Sequence, residues 1–200
     1  MTLETSDPPR IVVGITGASG AVYGVRLLER LRELQVRTHL VVTSAGVLNV
    51  HHELGLDRGA LEQLADEVHA LGDVGACIAS GSHPTNAMVV APCSMKTLAG
   101  VAHGLSRSLV ERAADVMLKE RRPLVVVPRE TPMSLPQLRN MVLCAEAGAM
   151  VLPAMPAFYQ LPQTLDDLAD FMAGKILSAL GFEHDLYPQW TGHVRQAPHA

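Results

Sequence analysis

The chain has 200 residues, a length that suggests one domain. Hydrophobic residues make up 48% of it and charged residues 18%, which is the composition of a globular protein rather than of a disordered chain. The net charge of −4 gives no field for general nucleic-acid binding. Apolar runs stay shorter than the ~18 residues of a membrane-spanning helix, so we expect no membrane segment.

The cysteines and the N-terminus predict a cytoplasmic protein. Three cysteines, an odd number without a CxxC pair, indicate reduced thiols rather than structural disulfides. Segment 1–10 is polar and acidic, lacks the features of a signal peptide, and is expected to be disordered or extended. The nine histidines are scattered without metal-binding spacing, so we expect no metal ligation from them.

Short apolar runs alternate with amphipathic helical patterns along the chain. Strands are predicted at 11–15, 38–43, 87–91, 124–127 and 149–152. Helices are predicted at 21–34, 44–54, 59–70, 96–103, 108–121 and 135–147, and a last helix follows its expected N-cap, Thr164. This alternation predicts a single α/β domain over 11–181, in which helices cover both faces of a parallel sheet.

A glycine-rich segment, Thr16-Gly17-Ala18-Ser19-Gly20, follows the first predicted strand and precedes the first helix. In a doubly wound sheet, ligands bind at the carboxyl ends of the strands. Glycines allow close backbone approach, and a helix N-terminus offers free N–H groups and a favourable dipole to an anion. The segment therefore predicts a site for a phosphate or a polar ring edge, and a tight turn without a ligand is the alternative.

The spacing Gly14-x-x-Gly17-x-x-Gly20 also resembles the nicotinamide fingerprint of short-chain dehydrogenases. Those enzymes need a catalytic Tyr-x-x-x-Lys, but the residues four positions after the three tyrosines are Leu27, Gln163 and Thr191. The second strand also ends without an acidic residue that could bind a ribose. Both observations disfavour a dehydrogenase.

Six motifs together carry a family resemblance. They are Gly-Ile-Thr-Gly-Ala-Ser-Gly-Ala at 14–21, Ala-Pro-Cys-Ser at 91–94, Glu-Arg-Ala-Ala-Asp-Val at 111–116, Leu-Lys-Glu-Arg-Arg-Pro-Leu at 118–124, Pro-Arg-Glu-Thr-Pro at 128–132 and Pro-Ala-Phe-Tyr at 156–159. With them, residues 11 to 190 resemble the UbiX flavin prenyltransferases, which supply prenylated FMN to UbiD-type decarboxylases. The resemblance implies a flavodoxin-like or Rossmann-like three-layer sandwich, a homododecamer with active sites at subunit interfaces, FMN as the bound acceptor and no metal.

The resemblance also implies a role for individual residues. The implied FMN contacts are Gly17, Ala18, Ser19, Thr43, Ser94, Met95, Lys96, Thr97 and Arg129. The implied contacts of dimethylallyl phosphate are Arg112, Lys119, Tyr159, Lys175 and Ser80, with Trp190 beside the prenyl pocket. The implied acid–base residues are Ser19, Glu53 and Glu130. The tail, 182–200, is expected to pack near the active site.

The implied reaction breaks an allylic carbon–oxygen bond and joins the prenyl unit to N5 and C6 of reduced FMN. The departing phosphate needs fixed positive charge and hydrogen bonds in a dry site. Lys119, Arg112, Lys175 and the Tyr159 hydroxyl are expected to supply them. Protons are expected to move through carboxyl groups, with Glu53 acting through Ser19 and a second glutamate protonating the phosphate.

Two other functions remain as alternatives. A flavoprotein that decarboxylates a cysteine thiol would carry Pro-Ala-Met-Asn, whereas Pro153-Ala154-Met155 is followed here by Pro156. A subunit that only binds FMN for an aromatic-acid decarboxylase would have no use for the phosphate-binding residues. Cys93 lacks a matched base and is expected to be a packed small residue rather than a nucleophile.

Overall fold

The computed structural model describes residues 7–188. Six β-strands lie in this part of the chain: β1 Arg10–Ile15, β2 Arg37–Val42, β3 Glu67–His69, β4 Ala87–Cys93, β5 Leu124–Pro128 and β6 Met150–Val151. Seven α-helices connect and cover them: α1 Ala21–Glu33, α2 Ser44–Leu54, α3 Arg58–Glu62, α4 Met95–Ala102, α5 Leu109–Lys119, α6 Leu135–Glu146 and α7 Leu165–Ala179. A short 3₁₀ turn spans Cys77–Ala79.

The strands form one parallel sheet in the order β3-β2-β1-β4-β5-β6. This is the strand order of the Rossmann fold, in which the chain reverses its direction of winding between the first and fourth strands. Helices α1, α2 and α7 pack together, as do α4, α5 and α6. The predicted three-layer α/β sandwich is therefore confirmed.

The central strands owe their burial to their continuous apolar sequence. All seven residues of β4 and all five of β5 are buried, as expected for strands covered on both faces. Val13 and Ile15 face the core beneath α1 and α7, whereas Val12 faces the second core beneath α5. Among the described residues, no helix combines the length and the apolar character that crossing a membrane requires.

The prediction of a single helix over 59–70 is wrong. Helix α3 ends after five residues, and the chain then forms the edge strand β3 beside β2. Asp66 directs this change, because its carboxylate accepts hydrogen bonds of 2.8 and 3.0 Å from the backbone N–H and the hydroxyl of Thr38. The side chain thereby attaches the segment to the sheet before a second helical turn can form.

The last helix begins as predicted, since the Thr164 hydroxyl accepts a hydrogen bond of 3.1 Å from the N–H of Asp167. The described part of the tail, 182–188, folds back on this helix. Tyr187 packs on Phe171, with ring centroids 4.9 Å apart. Trp190 lies outside the described residues, and the proposed boundaries at residues 10 and 181 stay predictions, although β1 already includes Arg10.

Candidate active site

The loops that follow β1 and β4 meet at the reversal point of the sheet. Thr16 joins them, because its hydroxyl donates to the carbonyl of Pro92 and accepts from the N–H of Ser94, both at 2.7 Å. The Thr16 side chain is buried, so water does not compete for these bonds. The glycine-rich loop and the start of α4 are therefore held in a fixed relation.

The loop that follows β2 borders the same place. The N–H of Thr43 donates to the carbonyl of Ile15 at 3.0 Å. A Cβ atom on Gly17 would lie 2.5 Å from the Cβ of Ala45, so only glycine allows α2 to begin this close to the first loop. Gly17 itself is exposed, whereas Ala18 is buried.

Three helices, α1, α2 and α4, thus begin around one depression, which we call the switch-point crevice. It is formed by the segments Thr16–Gly20, 43–45, 94–97 and 129–130. Hydroxyl caps begin two of the helices: Thr43 accepts from the N–H of Gly46 at 3.0 Å, and Ser94 accepts from the N–H of Thr97 at 3.3 Å. Helix N-termini attract anions and hydrogen-bond acceptors, so the crevice suits a phosphorylated ligand.

Glu53 lies beside the glycine-rich loop, as the resemblance implies, and it caps α1. Gly20, at the N-cap position, has a positive φ of 100° and no side chain of its own to cap the helix. The Glu53 carboxylate accepts from the N–H groups of Gly20 and Ala21 at 2.9 and 2.8 Å. An acid–base role for Glu53 with Ser19 stays a prediction, and any proton it carries would compete with this capping.

Arg129 and Glu130 lie at the opposite wall of the crevice, directly after β5. The guanidinium Nε of Arg129 donates to the carbonyl of Ser19 at 3.0 Å, which links this wall to the glycine-rich loop. The carboxylate of Glu130 accepts from the N–H of Thr131 at 3.0 Å. Met95 is half-buried and Lys96 is exposed in the first turn of α4, which begins at the crevice.

The sequence analysis missed Tyr23 and the linking role of Thr16. A Cβ atom on Gly20 would lie 2.8 Å from the Tyr23 ring, so the phenol stands against the glycine-rich loop. The pKa of Tyr23 lies above its ordinary value, chiefly because of burial; the Arg129 charge lowers it and the Glu53 charge raises it. The position of Tyr23 three residues after Gly20, in the first turn of a helix that opens at the ligand site, is a signal that could have found it.

The buried Cys93 is confirmed as a packed residue. Its side chain has no exposure to solvent, and burial raises the pKa of the thiol far above its ordinary value, with a further rise from Cys144. A thiol that stays protonated is a poor nucleophile.

Three residues assigned to the phosphate, Ser80, Arg112 and Lys119, gather at a different place, which we call the amino-edge cluster. Arg112 donates from Nε to the carbonyl of Ala79 at 3.1 Å. Lys119 pairs with Glu120, and a Cβ atom on Gly81 would lie 2.9 Å from the Lys119 Nζ. Ser80 stands between Ala79 and Gly81 in the chain, so the backbone that carries it runs past both cationic side chains.

Within one protomer, Lys119 of the amino-edge cluster and the switch-point crevice lie at opposite edges of the sheet. Lys119 ends α5 just before β5 begins, whereas the crevice follows the carboxyl ends of β1 and β4. Seven residues of β4 separate the two edges, which corresponds to about 20 Å at ~3.3 Å per residue. One protomer alone therefore does not bring Lys119 to the glycine-rich loop.

Two other residues are predicted to contact the substrate: Tyr159, which packs against α7, and Lys175, which belongs to this helix. The Tyr159 ring packs edge-on against Phe171, with ring centroids 6.3 Å apart, and is more than half exposed. Lys175 lies one helical turn after Phe171 and is exposed. Trp190 is outside the described residues, so its predicted position beside the prenyl pocket stays a prediction.

A parallel sheet whose reversal point opens on three helix N-termini defines an α/β protein of the nucleotide- and flavin-binding class. Comparisons with known proteins agree. The family model for flavoproteins matches residues 2–177. The flavin prenyltransferase UbiX of Methanothermobacter thermautotrophicus is 50% identical over 182 residues, which is 91% of this chain and 95% of that protein.

Two solved structures are similar over nearly the whole chain. AnUbiX (PadA1) in complex with FMN and dimethylallyl pyrophosphate has a TM-score of 0.92 at 42% identity, covering 94% of this chain and all of that one. A dodecameric FMN-dependent UbiX-like decarboxylase of Escherichia coli O157:H7 has a TM-score of 0.89 at 44% identity, covering 92% and 100%. The chain belongs to the Flavoprotein family and, within it, to the UbiX flavin prenyltransferases.

Proposed function

We propose that this protein is a cytoplasmic, metal-independent flavin prenyltransferase. It transfers the dimethylallyl group of dimethylallyl phosphate to N5 and C6 of reduced FMN, and its product serves a UbiD-type decarboxylase. The observation that carries the proposal is the meeting of three helix N-termini with Arg129 around an exposed glycine-rich loop. The relatives that share nearly the whole chain support the same reaction.

FMN fits the switch-point crevice. Gly17 lets the backbone come close to a flat ring, while N–H groups and the hydroxyls of Ser19, Thr43 and Ser94 offer hydrogen bonds. Met95, Lys96 and Thr97 would add contacts from the first turn of α4. When bound in its reduced form, FMN supplies the electron-rich nucleophile of the reaction. The residues around it hold it in place and exclude water from the site.

The cationic residues stabilise the leaving phosphate. In the proposed site Lys119, Arg112 and Lys175 provide fixed positive charge, and the hydroxyl groups of Tyr159 and Ser80 provide hydrogen bonds. Glu130 protonates the phosphate, and Glu53 moves protons through Ser19. Lys175 carries one point charge rather than the planar fork of an arginine, so it binds phosphate with less geometric constraint.

A complete site requires more than one subunit. The edge of the sheet at which Lys119 lies is about 20 Å from the crevice of the same protomer, measured along β4 at ~3.3 Å per residue. A neighbouring subunit that presents its amino edge to the crevice closes this distance. We therefore propose a homododecamer with active sites at the subunit interfaces, an assembly supported by the dodecameric structure of the Escherichia coli relative.

The proposal is tested by mixing the purified protein with reduced FMN and dimethylallyl phosphate without air. We expect free phosphate and a flavin whose mass has increased by one prenyl group. The diphosphate is offered in a parallel reaction to establish the donor. Binding of FMN without either product would support the alternative of an accessory subunit, and decarboxylation of a cysteine thiol would support a cysteine-decarboxylase-like flavoprotein.

Variants separate the two ligand sites. Lys119→Ala should leave FMN bound and lower turnover at least ~100-fold, because a charge that stabilises the leaving group is removed. Ser94→Ala should instead weaken FMN binding about tenfold, which corresponds to one lost hydrogen bond. Arg121→Ala removes an exposed charge near Lys119 and is the matched control. Normal turnover by Lys119→Ala would contradict the phosphate site.

A further inference from the structure

Four metal-ligating side chains converge away from the switch-point crevice. They are His39, Glu67, His69 and Cys77, and their ligand atoms all lie within 4.8 Å of one another. They come from three separate elements: β2, β3 and the 3₁₀ turn. The spacing of these residues along the chain therefore gives no sign of the cluster, which is why the sequence predicts no metal ligation.

The strand register creates most of this arrangement. His39 is paired with Glu67 across the parallel strands β2 and β3. The Nδ1 of His39 lies 3.0 Å from the Nε2 of His69 and 3.5 Å from a carboxylate oxygen of Glu67. The two imidazole rings are stacked, with centroids 5.3 Å apart. Three ligand groups are thus already at the separations found around a bound ion.

His39 is held in a buried, polar environment. The residue is 1% exposed, so bulk water does not compete for its ring nitrogens. The ring of His83 stands edge-on to His39, and its buried Nε2 has no hydrogen-bond partner among residues 7–188. One more buried ring nitrogen, on His83, therefore lies near the cluster without a hydrogen-bond partner among the described residues.

We propose that His39, Glu67, His69 and Cys77 form a structural binding site for Zn²⁺. Two imidazole nitrogens, a thiolate and a carboxylate supply the four ligands and the mixed donor types of a closed tetrahedral zinc site. The two negative ligands balance the two charges of the ion. Binding transfers the thiol proton of Cys77 to solvent and forms the zinc–sulfur bond in its place. The site lies outside the crevice, and prenyl transfer stays metal-independent.

A zinc ion here would fix the edge of the sheet to the amino-edge cluster. It would join the short strand β3 to β2 and to the turn that begins at Cys77. The same turn ends at Ala79, whose carbonyl accepts from Arg112, and leads to Gly81, which lies against Lys119. If these two cations hold the phosphate as proposed above, the ion also stabilises their position.

Equilibrium dialysis against Zn²⁺ tests the site after the intact oligomer has been stripped with a chelator. We expect one Zn²⁺ per chain and a melting temperature about 5 °C higher with zinc, because a ligand of the native state stabilises it. With Co²⁺ as the probe, we expect the absorption of a tetrahedral ion with a sulfur ligand. These readouts are independent of prenyl transfer, so their failure would leave the proposed function intact.

Two variants assign the ligands. Cys77→Ser, which changes one atom, should abolish the cobalt–sulfur absorption and weaken zinc binding about 100-fold or more. His69→Ala should weaken binding similarly, while His103→Ala, an exposed histidine hydrogen-bonded to Asn140, should bind as the parent does. If His69→Ala fails to fold, Cys77→Ser decides. Absence of saturable uptake, or uptake that Cys77→Ser leaves unchanged, would overturn the proposal.

Discussion

Glu53 is the residue on which the observed structure and the proposed chemistry make competing demands. Its carboxylate accepts two backbone N–H groups at the start of α1, which satisfies donors that would otherwise lack partners. A group that exchanges protons during turnover must repeatedly give up part of this interaction. The stability of the protein and its turnover are therefore both expected to depend on the same side chain.

We expect Glu53→Gln to lower the free energy of unfolding by about 1 kcal/mol, because a neutral amide interacts less well with a helix N-terminus. Urea titration at a fixed protein concentration measures this loss. If Glu53 also transfers a proton during the reaction, the turnover of the variant should fall ~100-fold or more while its FMN binding changes little. Glu146→Gln is the control, since Glu146 is exposed at the far end of α6. Unchanged stability would contradict the capping role.

At the scale of secondary structure elements, the packing of α1 against its neighbours fixes where this helix begins and so shapes the crevice. On its outer side, Asp170 of α7 bonds Arg26 at 2.6 and 2.9 Å and Arg30 at 3.2 Å. These side chains are mostly buried. Burial raises the pKa of Asp170, but the hydrogen bonds and charges of both arginines outweigh it, so the pKa lies below its ordinary value.

Because the pKa of Asp170 is lower in the folded state, its ionisation stabilises the protein above the unfolded pKa of about 3.9, and this contribution disappears as the pH falls through the folded value. We expect Asp170→Asn to lose about 2 kcal/mol at neutral pH. The difference from the parent should shrink below about pH 4. Unfolding curves measured across pH test this, with the exposed Asp185→Asn as control. A difference that is constant with pH would contradict it.

On its inner side, α1 approaches the sheet through Gly24. A Cβ atom at this position would lie 2.2 Å from the carbonyl oxygen of Ala91, which belongs to β4. Gly24→Ala must therefore move the helix, and we expect it to destabilise the protein by at least about 2 kcal/mol. Gly72→Ala, where no atom lies within 4 Å of the new Cβ, should change thermal stability little. Equal melting temperatures for both variants would refute this packing.

The elements that the sequence predicts well are those with strong local patterns. Strands β1, β4 and β5 are continuous apolar runs between turn residues, because helices cover both of their faces. The edge strand β3 lacks this signal: its three residues are exposed or half-buried, and a hydrogen bond from distant Thr38 determines its conformation. Local patterns do not contain that contact, so a helix was the wrong prediction there.

The same distinction applies to the candidate site. The resemblance implies roles for Ser19, Thr43 and Ser94, and the structure places each between a strand end and a helix start, where parallel strands bring these ends together. The proposed zinc ligands could not be predicted, since strand register and a distant turn bring them together. The motifs also did not reveal that Lys119 and the crevice lie at opposite edges of the sheet. A motif gives the types of its residues but not the edge of the sheet at which they lie.

At the scale of the whole molecule, the proposed interfacial site would make assembly part of catalysis. If each active site combines the crevice of one subunit with the amino edge of another, a defect on one edge impairs only the sites to which that edge contributes. Two inactive variants with defects on different edges can then complement each other within a mixed oligomer. A site built from one protomer allows no such rescue.

We expect oligomers that contain Lys119→Ala and Arg129→Ala subunits in equal numbers to recover about a quarter of the parental turnover, because random assembly combines two intact edges in one site of four. The two variants are coexpressed with different affinity tags, and mixed oligomers are isolated through both tags and assayed for prenylated flavin. Coexpression of two differently tagged Lys119→Ala chains is the control and should stay inactive. If the mixed oligomers are as inactive as their parents, each protomer supplies both edges of its own site, and the proposed interfacial site is wrong.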